Sequence, residues 1–143
     1  MVHQAHVQRD AVAAIRGAGG AVRYDWEWSN GNSFPRGDPW APKWLVGLIG
    51  VDYFGHVTFV RLIPGEADDA TIAQVGRLTQ LQRLDYAASA LECVISTPTL
   101  GDAGLAHLKG LTKLRAIDFT GTQVTQSGVQ ELQKVLPNAQ ILP

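Results

Sequence analysis

The chain has 143 residues, 45% apolar and 17% charged, with a net charge of −1. This balance fits one compact globular domain and excludes a disordered chain as well as a strongly basic nucleic-acid binder. The single cysteine, Cys93, excludes an internal disulfide and with it the disulfide-stapled secreted class.

Residues 1–7 are expected to form a mobile end, and the ordered domain begins with a helix over 8–18. Val7, Ala11, Ala14, Ile15 and Ala18 fall on one helical face, and Gly17, Gly19 and Gly20 stop the helix. From Val22 the pattern alternates, with Val22, Tyr24, Trp26 and Trp28 on one side of a strand and Arg23, Asp25 and Glu27 on the other. Residues 30–42, with Pro35, Pro39, Pro42, Gly31 and Gly37, read as a loop. A short helix follows over 43–48, with Pro42 in its first turn and Trp44, Leu45, Leu48 and Ile49 as its apolar face. The apolar run 44–51 is too short to span a bilayer, and residues 1–10 lack the apolar centre of a signal peptide. A cytoplasmic protein with no membrane insertion is expected.

Beyond this point helix and strand periods recur. Val57, Val60 and Leu62 return as Leu81, Leu84 and Tyr86, and Leu105 and Leu108 as Val129 and Leu132, both at a shift of about 24 residues, a length typical of leucine-rich repeats. Steps of three in Ile72, Val75, Leu78 and in Leu105, Leu108, Leu111 give helical faces, whereas Leu84-x-Tyr86 and Ile117-x-Phe119 have the strand period. Asp69, Asp102 and Thr125 or Ser127 are expected to cap the helix starts. The register slips once, which places an inserted surface loop at 92–99. A last helix over 127–136 leads to a short strand over 139–142.

The stretch Asp102-Ala-Gly-Leu105, continued by Leu108, Leu111, Leu114, Ile117 and Phe119, resembles bacterial leucine-rich repeat proteins of the D-A-G-L-x-x-L-x-x-L type, and Leu136-Pro-Asn-Ala-Gln-Ile141 resembles their closing segment. Members of that group are regarded as interaction modules and can carry an anchoring segment upstream. The expected architecture is α/β: a short leucine-rich repeat solenoid over 57–143, parallel strands on its concave face and helices on its convex face. An N-terminal α/β cap over 8–56 covers its open end, with Trp26, Trp28 and Trp44 as the covering side chains and its strand beside Val57 to Ile63. Trp40 in the loop has no assigned role.

In such strands the residues between the leucines face outward. Phe59, Arg61, Ile63, Arg83, Asp85, Arg115, Asp118 and Thr120 are therefore the candidate binding residues of the concave face, with Thr58, Gln82, Ala87 and Ala116 beside them. Arg61, Asp85 and Asp118 should stand in one row, neighbours about 5 Å apart. The row reads either as a polar recognition stripe or as a ladder of surface ion pairs worth about 0–1 kcal/mol each. Phe59 and Ile63 read either as partner anchors or as packing beneath the cap. Asp85 and Asp118 have no histidine or cysteine placed with them, so neither catalysis nor a metal or cofactor site is expected. His3, His6, His56 and His107 show no metal-ligand spacing. The resulting expectation is a non-enzymatic protein- or peptide-binding module without nucleic-acid partners; the alternative is a structural or assembly domain with no dedicated ligand.

Overall fold

The computed structural model describes residues 2–29, 32–33, 41–50, 54–63, 69–86, 101–119, 122 and 124–142. The expected insertion at 92–99 with Cys93, together with Trp40 and Ala87, lies outside these residues. Helix α1 (Val2–Gly17) starts ahead of the expected residue 8 and takes in most of the segment expected to be mobile. Its buried side is Ala5, Gln8, Ala11, Val12 and Ile15, while Val7 and Ala14 are only half-buried, so the helix is turned relative to the expected face. Gln8 can be buried because its amide is occupied. Its Nε2 donates to the Gly55 carbonyl at 3.0 Å and its Oε1 accepts from the Val57 N–H at 3.0 Å.

The helix ends where the glycines predict. Gly19 N–H donates to the Arg16 carbonyl at 3.0 Å and Gly20 N–H to the Ile15 carbonyl at 2.9 Å. These paired bonds require a left-handed residue, and Gly19 supplies it at φ 73°.

Strand β1 (Ala21–Tyr24) is shorter than the alternation suggests. The chain turns after Tyr24, whose carbonyl accepts from the Glu27 N–H at 2.9 Å and whose N–H donates to the Glu27 carboxylate at 3.1 Å. Trp26 nevertheless stays on the side of Tyr24, its ring stacked at 4.8 Å and 3°. The sequence keeps its period of two because the turn preserves this stacking. After it, β2 (Trp28–Ser29), at the end of the expected alternating strand, pairs with β3 (Asn32–Ser33), inside the expected loop, as a separate two-stranded antiparallel ribbon.

Helix α2 (Lys43–Ile49) forms as expected, with Pro42 just ahead of its first turn, where the proline carbonyl accepts from Leu45 and Val46. None of its residues is buried, and Trp44 and Leu48 are 71% and 73% exposed. The expectation that Trp44 covers the core is corrected. Tyr24, α1 and the half-buried Trp26 already fill that margin, and Trp26 lies so close over Gly55 that a Cβ there would enter its ring.

The remaining elements alternate: β4 (Val57–Arg61), α3 (Asp69–Val75), β5 (Arg83–Asp85), α4 (Asp102–Leu105) continued by a 3-10 turn (Ala106–Leu108), β6 (Ala116–Asp118), α5 (Gln126–Val135) and β7 (Gln140–Leu142). They build a five-stranded sheet in the order β1-β4-β5-β6-β7. β1 runs antiparallel to β4, as an extension of the sheet at the expected place, and the other neighbours are parallel. Val60, Leu84, Ile117 and Ile141 lie in register. They share one core with Ile15, Ile72, Val75, Leu105, Leu108 and Leu132 from the helices, which places the helices against one face of the sheet. Burying each such side chain fully is worth about 1.5–3 kcal/mol.

Close approaches between successive helices depend on small residues. A Cβ on Gly76 would run into the His107 carbonyl oxygen, and one on Gly128 would run into the Asp102 carboxylate. Asp102 does not cap its own helix, which begins behind Gly101 with no side-chain cap. It reaches across instead, accepting from the Thr125 N–H at 2.9 Å and from the Thr125 hydroxyl at 2.5 Å. Thr125 in turn caps α5 as expected, its Oγ1 accepting from the Gly128 N–H at 3.1 Å. Among the described residues, no helix is long and apolar enough to cross a membrane.

Candidate functional site

Side chains alternate across a strand, so the residues flanking the buried Val60, Leu84 and Ile117 emerge on the sheet face away from the helices. The pairing puts Arg61, Asp85 and Asp118 side by side, continued by Ala21 on β1 and Leu142 on β7. A second row runs Arg23, Phe59, Arg83, Ala116, Gln140. Seven of the eight candidate residues can be placed on or beside this surface. Thr120 lies outside the described residues, and Thr58, expected to face outward, is buried.

Within the surface the charges are not equivalent. Arg83 Nε donates to Asp85 Oδ1 at 2.9 Å, with the two side chains 41% and 22% exposed. A pair this open to solvent contributes about 0–1 kcal/mol. It leaves the rows polar but locally neutral at their centre. Arg61 on β4 is exposed on one side of the pair and Asp118 on β6 stands on the other, while Arg115, just ahead of β6, is exposed as well.

Phe59 is half-buried, and its cover is Arg23, whose guanidinium carbon sits 5.7 Å from the ring centroid. At that range a cation–π contact adds about 0.5–1 kcal/mol. Ile63 is half-buried at the other side, where its Cδ1 lies against Gly19 in the turn after α1. Both apolar candidates are thus partly covered by the N-terminal segment rather than fully presented.

Arg23 and Leu142 belong to this surface and were not among the candidates. Arg23 carries its signal in the β1 alternation, but only the antiparallel register of β1 on β4 brings it over Phe59. Leu142, 45% exposed, continues the Arg61 row with an apolar end. Among the described residues, no group of three or more histidine, cysteine or acidic side chains is placed to hold a metal ion. What the surface offers is a guanidinium-rich array with the Arg83–Asp85 ion pair at its centre and apolar surface at Phe59 and Leu142. Compared with models of known protein families and with curated proteins, the chain matches none.

Proposed function

We propose that this chain is a short leucine-rich repeat domain, its parallel strands on a concave face, that acts as a non-enzymatic cytoplasmic module and binds a protein or peptide through the helix-free side of the sheet. The observation that carries the reading is the strand register, which aligns Arg61, Asp85 and Asp118 in one row and Phe59 and Arg83 in the next. The recurring leucine spacing and the D-A-G-L motif support the repeat assignment. Arg61 and Arg115, both exposed, would meet acidic groups of the partner, and Leu142 would add apolar contact. A second reading, a structural domain with no dedicated ligand, draws on the Arg23 cover over Phe59 and on the closed Arg83–Asp85 pair.

The two readings part under charge reversal. Affinity capture from a lysate of the cells that make the protein, comparing wild type with an Arg61→Glu, Arg115→Glu variant, is expected to retain a partner on wild type that the variant loses. Because both side chains are exposed, the variant should keep its circular dichroism spectrum. Equal retention by both proteins, or none by either, would remove the binding reading and leave the structural one.

A further inference from the structure

A second feature lies away from the sheet face. Between the first turns of α1, the approach to β4 and the turn after α3 there is a cavity of about 460 Å³, within the roughly 300–1,000 Å³ of small-molecule sites. Its ionisable lining groups among the described residues are His3, His56 and Arg77, with no carboxylate among them. Thr79 adds a hydroxyl, and Phe54 and Leu78 supply an apolar wall. We infer that this cavity binds a small organic phosphate, with the phosphoryl group at His3, His56 and Arg77 and the organic body against Phe54 and Leu78.

The lining is one-sided in charge and partly rigid. Arg77 Nη1 donates to Gln74 Oε1 at 3.2 Å, which orients the guanidinium while using one of its five donors. The fork of a guanidinium matches phosphate oxygens in pairs, a geometry a neutral ligand does not use. Gln80, another lining residue, accepts a hydrogen bond from Lys113 Nζ and so holds a further cation near the cavity. The first turn of α1, from which His3 and Gln4 reach the wall, has no acidic residue. Its amides, which lack partners within the helix, add positive potential there. Gln8 is tied to Gly55 and Val57 on both sides of its amide, so the wall beneath is fixed before any ligand arrives.

The test is an NMR titration of the full chain with phenyl phosphate, inorganic phosphate and phenol, following the imidazole C–H signals of His3 and His56 and using His107 as the internal reference. Phenyl phosphate should shift both signals saturably and bind more tightly than inorganic phosphate, and phenol should leave them in place. Arg77→Gln should weaken phenyl phosphate binding by about tenfold or more, the effect of one lost charge-assisted hydrogen bond, and Arg61→Gln on the sheet face should not weaken it. His56→Gln provides an independent second variant with the same expected direction. The assignment is overturned if phenyl phosphate gives no saturable shift, if it binds no more tightly than inorganic phosphate, or if both lining variants bind it as wild type does.

Discussion

Asp102 shows how one side chain can serve a neighbouring element in place of its own. Both of its carboxylate oxygens accept from Thr125, and these hydrogen bonds, the hydroxyl first and the backbone N–H second, hold its pKa below the ordinary carboxylate value. A carboxylate lowered in the folded state stabilises that state above its unfolded pKa, and the contribution fades as pH falls through the folded value. The stability difference between wild type and Asp102→Asn should therefore be largest near neutral pH and narrow on acidification toward about pH 3, as followed by urea denaturation. A difference independent of pH would show that the side chain acts through its shape alone. The aspartate could be read as important in the sequence, but its natural reading as a helix cap was incorrect. A cap is a local motif, whereas this bond spans the distance between one helix start and the next.

Among the elements, the strands of the parallel part were the most legible. Leu84-x-Tyr86 and Ile117-x-Phe119 have their inward residues buried and in register, because the strand period records which side meets the core. The elements of the N-terminal part were less so. Alternation from Val22 to Trp28 continues through a turn that ends β1, since Trp26 keeps its place on Tyr24 without a strand beneath it. In α2 the apolar residues are spaced as a helical face, yet periodicity says only that such a face exists and not that a neighbour covers it. Between helices, contact is governed by what is missing. Gly76 sits where any side chain would meet the His107 backbone carbonyl, and the backbone cannot step aside as a flexible side chain would. Gly76→Ala should destabilise the protein by about 1–3 kcal/mol in chemical denaturation, although alanine is the better helix former. An unchanged midpoint would mean that α3 and the 3-10 turn can separate at no cost.

At the level of the whole molecule, one hydrophobic cluster runs from Ala11 in α1 to Ala139 ahead of β7. All four tryptophans lie between residues 26 and 44, so fluorescence follows the N-terminal part while far-ultraviolet circular dichroism follows all the helices and strands. A shared core predicts coincident thermal transitions by the two probes. Leu84→Ala, fully buried at the centre of the sheet, should cost about 2–5 kcal/mol and lower both midpoints together. Two separated transitions would show that the N-terminal part melts by itself. The candidate surface was legible at this scale only in part. Its rows on β4, β5 and β6 follow from spacing, but Arg23 over Phe59 depends on an antiparallel pairing between segments far apart in sequence. The cavity beside α1 draws on three separate stretches, and no periodicity in any one of them announces it.

The order of strands across the large sheet is also their order along the chain. Synthesis therefore delivers each strand when its place is at the open margin, and none has to be threaded between two already joined. A ribosome-bound chain that has released β1 and β4 can pair them, and β5, β6 and β7 can then be added one after another from the same side. Growth by addition at one margin leaves one growing edge waiting for its next strand at any moment. The outer edge of β1 is a margin of the sheet from the start, and that of β7 becomes the other when growth ends.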